Sequence, residues 1–229
     1  MKPELSAADL AQYIDHTLLK PDATVRDITI HCNEARVRGF FSVCVHGSRV
    51  AQALAQLEES DVKVGTVIGF PLGAADGDAK RYEVETAIDL GAQEIDVVLN
   101  LGRLKDGDHG YVLRELRDVV EAAEERPVKV ILETCLLTRA EKILACHLAV
   151  DADAQFVKTS TGFSTGGATV EDVRLLRETV GAKFGVKASG GIRDMRTALA
   201  MIEAGATRLG TSASVAIVEG ISEEQRGTC

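Results

Sequence analysis

Short apolar runs rich in β-branched residues alternate along the chain with segments whose apolar residues recur at helical spacing. Two of these helical segments are 111–123 and 140–150. Helix starts are indicated by Thr24, Thr138 and Thr169, each followed within three residues by an acidic side chain. The pattern therefore predicts eight strands separated by helices, with the strands at 17–19, 41–45, 64–70, 95–99, 128–132, 156–158, 185–187 and 208–210.

Eight strand–helix units in series are typical of a parallel sheet covered by helices. Division of 229 residues by eight gives about 29 residues per unit, which suits a small (β/α)8 barrel. The predicted fold is therefore an α/β fold, a (β/α)8 TIM barrel, with a doubly wound open sheet of about five or six strands as the second interpretation. Segment 5–14 is predicted to be an extra N-terminal helix that closes the barrel bottom, and residues 1–229 are predicted to form a single domain.

Composition and charge argue against several classes of protein. Hydrophobic residues make up 45% of the chain and charged residues 27%, the balance of a soluble globular protein. A net charge of −9 without a basic run argues against nucleic-acid binding, and no apolar stretch reaches the ~18 residues of a membrane helix. Residues 1–4 lack a signal-peptide core, and five cysteines without a CxxC argue against a disulfide framework or a zinc site. We expect a cytoplasmic protein with no membrane partner.

Three predicted strands carry a lysine between apolar neighbours. Lys129, Lys158 and Lys187 follow one another at intervals of 29 residues, and Asp96 lies in the strand before them. The equal spacing suggests that each lysine occupies the same place in its unit, and period-two alternation turns all four side chains into the lumen. A single such lysine could face solvent or pair with an acid. A buried ammonium loses its proton readily, and the neutral amine is the nucleophile of Schiff-base chemistry.

Glycine-rich segments follow the sixth, seventh and eighth predicted strands. Loops after strands seven and eight form the usual phosphate site of this architecture, because glycines allow close backbone approach and helix starts offer free N–H groups. Tight turning is the alternative explanation. Glu133, at the end of the fifth strand, is a candidate catalytic acid or a partner for Lys129. The candidate substrate-binding residues in the glycine-rich segments are Thr161, Gly162, Gly190, Gly191, Gly210 and Ser212.

The sequence contains neither a P-loop motif nor a dinucleotide GxGxxG. Its His, Cys and carboxylate residues show no spacing typical of metal ligands. We therefore expect no cofactor and no metal.

Seven segments together resemble the deoxyribose-phosphate aldolase family over nearly the whole chain. The family is a class I aldolase on a (β/α)8 barrel that needs no metal. It interconverts 2-deoxyribose 5-phosphate with acetaldehyde and glyceraldehyde 3-phosphate. The segments that carry the resemblance are IDHTLLKP at 14–21, VIGFPLG at 67–73, EIDVVLN at 94–100, KVILET at 129–134, FVKTSTG at 156–162, VKASGGIR at 186–193 and RLGTS at 208–212.

The resemblance implies roles for individual residues. Lys158 would form the Schiff base, Lys187 would lie beside it and depress its pKa, and Asp96 would take part in proton transfer. Further polar members and phosphate contacts of the site would be Asp15, Lys129, Gly190, Gly191 and Ser212. The expected partners are small-molecule phosphosugar and aldehyde substrates and further copies of the chain, in a homodimer or homotetramer.

The sequence departs from the family pattern at His46-Gly47, at Ala213 and in the tail 222–229, which lacks the terminal tyrosine of longer relatives. None of these departures touches the two lysines. Two other functions stay open, namely another Schiff-base aldolase, such as a transaldolase-like enzyme, and a catalytically silent barrel that binds a sugar phosphate.

Overall fold

The computed structural model describes residues 5–227, with side chains described as far as residue 220. Its strands form one closed parallel barrel in the order β1 to β8. The predicted (β/α)8 barrel is thus confirmed, and the open doubly wound sheet is wrong. The strands are β1 (Ile14–Leu18), β2 (Ser42–Val45), β3 (Lys63–Ile68), β4 (Glu94–Val98), β5 (Val128–Ile131), β6 (Phe156–Lys158), β7 (Gly185–Ser189) and β8 (Arg208–Thr211).

Helices cover the outside of the barrel, and short 3-10 turns follow β2 and β5 at Gly47–Arg49 and Thr134–Leu136. Within the described residues no helix has both the length and the apolar character needed to span a membrane. Residues 1–4 and 228–229 lie outside the described residues, so a single domain over 1–229 stays a prediction. The helices are α1 (Ala7–Ala11), α2 (Val25–Arg38), α3 (Val50–Gln56), α4 (Gly77–Asp89), α5 (Leu101–Lys105), α6 (His109–Ala122), α7 (Arg139–Asp151), α8 (Val170–Val180), α9 (Met195–Glu203) and α10 (Ser214–Gly227).

The predicted threonine caps start three of these helices. Thr24 and Thr138 each form a capping box with the acid three residues later, and Thr169 accepts the N–H of Asp172 at 3.0 Å. Each such cap stabilises its helix by about 1 kcal/mol. At the other end of α2, Gly39 closes the helix in the left-handed conformation with φ of 64°, as glycine does at helix ends.

The first strand begins three residues earlier than the pattern predicted. Its first residues include Asp15 and His16, which are polar and so fall outside any apolar run, yet both are buried. The helix predicted at 5–14 is correspondingly shorter, because Ile14 belongs to β1. Its position is as predicted: the Ala11 carbonyl accepts the N–H of Phe41, just before β2, at 3.2 Å. Helix α1 therefore lies at the amino ends of the strands, which form the barrel bottom.

Alternate strand residues face two different environments. Val128, Val130, Val157 and Val186 are fully buried in the apolar layer between strands and helices. Burial of each such side chain contributes about 1.5–3 kcal/mol. The intervening positions point into the lumen, where the side chains are largely charged. The apolar core therefore lies between the strands and the helices, and the lumen contains the polar side chains that are candidates for a functional site.

Candidate active site

Asp96 accepts hydrogen bonds from three lysines in the barrel lumen. Its Oδ1 accepts from Lys129 at 2.9 Å, and its Oδ2 accepts from Lys158 at 2.8 Å and from Lys187 at 2.7 Å. All four side chains are at least 96% buried. The structure brings together the four lumen residues that the alternation predicted.

The three lysines do not lie at one level of the barrel. Lys158 is directly opposite Lys187, whereas Lys129 is opposite Asp96. The residue of β5 that faces Lys158 is Ile131, two residues beyond Lys129. The prediction that all three lysines occupy the same position in their units is therefore wrong for Lys129. Neighbouring strands of a barrel are staggered along its axis, so equal spacing in sequence does not give equal height in the lumen.

A closed ring of ion pairs continues from Asp96 through the lower lumen. Lys129 Nζ lies 2.9 Å from Glu94 Oε2. Arg208 Nη1 lies 3.2 Å from the same Glu94 oxygen and 2.7 Å from Asp15 Oδ1. Lys187 closes the ring, with its Nζ 2.5 Å from Asp15 Oδ2. We call the six residues of this cycle the charge ring: Asp96, Lys129, Glu94, Arg208, Asp15 and Lys187.

The ring separates the proton affinities of the two neighbouring lysines. Burial lowers the pKa of the Lys158 amine, and the adjacent Lys187 ammonium lowers it further, against the attraction of Asp96. Burial also disfavours the charged form of Lys187, but Asp15 and Asp96 together outweigh burial and raise its pKa. Burial would raise the pKa of Asp96, yet the surrounding ammonium groups hold it well below the usual value. Lys158 is therefore the member of the pair that gives up its proton more easily.

A cleft of about 280 Å³ opens at the carboxyl ends of the strands, with Lys158 in its lining. The fixed backbone of the cleft includes Gly190, whose φ is 84° and whose Cβ, if present, would lie 3.1 Å from Gly167 Cα. Asp15 and Lys129 lie beneath the cleft in the charge ring. The cleft is also lined by all six residues predicted from the glycine-rich segments: Thr161, Gly162, Gly190, Gly191, Gly210 and Ser212.

Size alone does not indicate the site. A larger groove of about 630 Å³ lies between the α4 face around Tyr82 and the loops after β1 and β2, away from the lumen lysines. The smaller cleft is lined by the buried Lys158 amine and by the glycine-rich loops, and it is therefore the candidate active site.

Several residues of the site had no predicted role. Lys20 and Arg193 line the cleft and supply cationic side chains near the glycine-rich loops. Arg193 follows directly on the glycine pair of its loop, which is a signal the sequence offered. Glu94 and Arg208 are ring members, and Glu94 lies two residues before Asp96, on the same face of β4. Their pairing joins residues 114 positions apart, and no local pattern indicates it.

Glu133 anchors the loop that follows β6. It has a left-handed backbone with φ of 52°, which is rare for a non-glycine residue and typical of functional sites. Its Oε2 accepts the Thr161 hydroxyl proton and the Thr161 N–H, the latter at 3.3 Å. Glu133 thus holds a cleft residue, and the alternative of a bond to Lys129 is not what the described contacts show.

His16, His31 and Glu34 form a polar cluster outside the barrel lumen whose nitrogen and oxygen atoms lie within 4.8 Å of one another. The two imidazole rings are stacked, with centroids 3.7 Å apart, so their in-plane lone pairs run side by side and do not converge on one point. His16 also bonds the Ser214 hydroxyl at 2.8 Å and Glu34 at 3.0 Å. The cluster ties β1 to α2 and to the start of α10, and its geometry does not suit a metal ion.

A parallel barrel with a buried amine beside a carboxylate, beneath a glycine-rich cleft, defines the class of barrel aldolases that work through a lysine. Comparison with known proteins agrees with this class. The family model described as DeoC/LacD family aldolase matches residues 10–220. The chain belongs to this family.

Curated relatives and solved structures extend the comparison. The chain is 58% identical over 220 residues to a deoxyribose-phosphate aldolase of Alkaliphilus oremlandii, covering 96% of this chain and 99% of the relative. It is 59% identical over 216 residues to one of Thermococcus gammatolerans, covering 93% and 96%. A tetrameric deoxyribose phosphate aldolase from Aeropyrum pernix superimposes with a TM-score of 0.89 at 36% identity, covering 96% and 93%. The family resemblance noted in the sequence is confirmed.

Proposed function

We propose that the protein is a class I aldolase that reversibly cleaves 2-deoxy-D-ribose 5-phosphate into acetaldehyde and D-glyceraldehyde 3-phosphate. One observation carries the assignment of the nucleophile. Among the described residues, Lys158 is the lumen lysine that lines the cleft, and it shares the Asp96 carboxylate with Lys187. The named relatives support the choice of substrate.

The first half of the reaction forms the imine. The neutral Lys158 amine attacks the aldehyde carbon of the open-chain sugar, a C–N bond forms, and the carbonyl oxygen leaves as water. The resulting protonated imine withdraws electrons from the bond between carbons 2 and 3. Asp96, acting through Lys187 and a water molecule, accepts the proton of the carbon-3 hydroxyl as that bond breaks. Proton transfer of this kind contributes typically about 10²–10⁴-fold to the rate.

The second half releases the two products. Glyceraldehyde 3-phosphate leaves as an aldehyde, and the electron pair of the broken bond stays in an enamine on Lys158. Protonation of the enamine at carbon 2 restores the imine, and water then attacks it to release acetaldehyde and the free amine. Lys187, held charged by Asp15 and Asp96, supplies a proton donor beside Lys158 throughout.

The phosphate binds at the glycine-rich end of the cleft in this proposal. Because the chain carries a net charge of −9, local donors must attract the anion. Gly190, Gly191 and Ser212 line the cleft there, and Lys20 and Arg193 add positive charge. Backbone N–H groups at a helix start bind phosphate in many barrels.

Assembly and location are part of the same proposal. A homodimer or homotetramer is supported by the relative described as tetrameric. The cytoplasm is the expected compartment for a phosphosugar enzyme.

Product analysis combined with covalent trapping tests the function. The protein is incubated with deoxyribose 5-phosphate and both aldehydes are quantified; in parallel, acetaldehyde and borohydride are added and the modified peptide is mapped. We expect both products and an ethyl adduct on Lys158. Different products would indicate another Schiff-base aldolase, and ligand-induced stabilisation without turnover would indicate a silent sugar-phosphate barrel.

A further inference from the structure

Glu94 and Arg208 are buried, and neither is among the residues that line the cleft. Their side chains are 6% and 8% exposed. The Arg208 guanidinium lies over the Phe41 ring, 3.5 Å from its centroid, and its Nη1 bridges Asp15 and Glu94. This placement at the barrel bottom fixes both groups and leaves them no direct contact with reacting atoms.

The charges of the ring cancel. Its three acids are Asp15, Glu94 and Asp96, and its three bases are Lys129, Lys187 and Arg208. Lys158 is attached to this ring through Asp96 alone. Ring and Lys158 together are therefore neutral when Lys158 is an amine and carry one positive charge when it is an ammonium.

We infer that Glu94 and Arg208 are positioning residues that complete the neutral ring and thereby make Lys158 the lysine that loses its proton. This inference rests on the proposed function, since it concerns the amine that forms the imine. A buried net charge is costly, so the ring favours the state in which the whole cluster is neutral. Neither residue has a role of this kind in the proposed chemistry.

The number of carboxylate partners explains why Lys158, and not Lys129 or Lys187, is the lysine that loses its proton. Lys129 contacts Glu94 and Asp96, and Lys187 contacts Asp15 and Asp96. Lys158 contacts one carboxylate among the described residues. The charged and titratable groups that act on the Lys158 amine are Asp96, Lys187 and Cys44, and the other four ring members are joined to Asp96 and Lys187 through the ion pairs of the ring.

Removal of the charge of Glu94 and removal of the charge of Arg208 should shift the pH at which Lys158 becomes reactive in opposite directions. Glu94→Gln leaves the ring with one excess positive charge and should lower the pH at which Lys158 becomes reactive. Arg208→Gln leaves one excess negative charge and should raise that pH. Each shift should be about one pH unit, because the charges act through a low-dielectric interior over more than one layer of side chains.

The experiment measures adduct formation on Lys158 across a pH series. Wild type and variants are treated with acetaldehyde and borohydride at each pH, the adduct is quantified by mass spectrometry, and the midpoint of each variant is compared with wild type. The double variant Glu94→Gln/Arg208→Gln restores ring neutrality and should return the midpoint to the wild-type value. Arg208→Lys keeps the charge in a different shape and should also keep that midpoint.

The controls separate this inference from stability and from the proposed function. Circular dichroism identifies the folded fraction, and if Glu94→Gln or Arg208→Gln does not fold, Glu94→Leu or Arg208→Met replaces it, since each removes the same charge. An adduct whose midpoint is the same in all folded single variants, or shifts in the same direction in both, would overturn the inference. Absence of any Lys158 adduct in wild type would instead overturn the proposed function.

Discussion

Lys158 and Lys187 lie directly opposite each other on β6 and β7, and their amino groups both donate to the same oxygen, Asp96 Oδ2. The distances are 2.8 Å and 2.7 Å, so geometry at Asp96 does not distinguish the two amines. Asp15 does, because its Oδ2 lies 2.5 Å from Lys187 Nζ. Lys187 is therefore held as an ammonium by two carboxylates, whereas Lys158, within the described part of the chain, contacts only the carboxylate of Asp96, which it shares with Lys187.

This difference predicts unequal effects of removing the two lysines. Lys158→Ala should abolish borohydride trapping at the site, because the nucleophile is gone. Lys187→Leu should lower kcat about 10²–10⁴-fold through loss of the proton donor, while Lys158 can still be trapped at higher pH. Mass spectrometry of the trapped enzyme and steady-state kinetics measure the two effects.

The exposed Lys183 provides a matched control, since Lys183→Ala removes a lysine outside the lumen and should change neither measurement. An adduct that maps to Lys187 or Lys129 in the wild-type enzyme would contradict the assignment of Lys158.

Full activity should survive exhaustive chelation. In the proposed reaction the protonated imine draws electrons from the breaking bond, which is the task of a Lewis-acid metal in other mechanisms. Activity is assayed after dialysis against a chelator and after return of zinc. Loss of activity that zinc restores would contradict class I chemistry.

The sequence allowed prediction of the barrel and of the lumen lysines because both depend on local alternation. Lys129, Lys158 and Lys187 each follow a valine that faces the helices, and a two-residue period suffices to turn the lysines inward. The relative heights of the lysines do not follow from that period. Lys129 is the second residue of its strand and Lys158 the third of its own, and the stagger between strands depends on how the barrel closes.

The ion pairs that join distant strands across the lumen do not follow from the local sequence pattern either. Arg208 meets both Asp15 and Glu94 only once all eight strands have closed. The apolar pattern does not predict the early start of β1, because Asp15 and His16 interrupt the run of apolar residues that marks other strands. Their burial is tolerated because each has polar partners, namely Arg208 and Lys187 for Asp15 and Ser214 for His16.

The two stacked histidines predict a loss of stability in mild acid. Burial lowers the pKa of His16 from 6.5 to about 4, and burial together with His16 lowers that of His31 to about 3. Below pH 6.5 the unfolded chain therefore binds more protons than the folded one. The two neutral imidazoles thus contribute to the free energy of unfolding above that pH, and this contribution is lost as pH falls through their pKa values in the folded protein. For His16 it amounts to about 3 kcal/mol.

Urea unfolding at several pH values between about 4 and 6.5 measures the slope of the free energy of unfolding. His31→Leu should reduce that slope, whereas His147→Leu, at an exposed histidine of α7, should leave it unchanged. A wild-type free energy that stays constant over this range would show that the buried imidazoles titrate normally.

The last prediction concerns the phosphate end of the cleft. Ser212 lines the cleft beside the glycine-rich loop after β7, and an aspartate there would repel an anion. Ser212→Asp should therefore raise KM for deoxyribose 5-phosphate far more than KM for unphosphorylated deoxyribose. Binding energy lost equally from bound substrate and transition state appears in KM, whereas lost transition-state contact lowers kcat.

Ser48→Asp supplies the matched control, because it adds the same charge at an exposed turn after β2, in the lining of the larger groove. This control should leave both KM values near wild type, since surface charges at a distance are largely screened by salt. The comparison of the two substrates decides the role of Ser212. Equal losses on phosphorylated and unphosphorylated sugar would mean that Ser212 does not contact the phosphate, and the anion would then have to bind nearer Lys20, in the loop after β1.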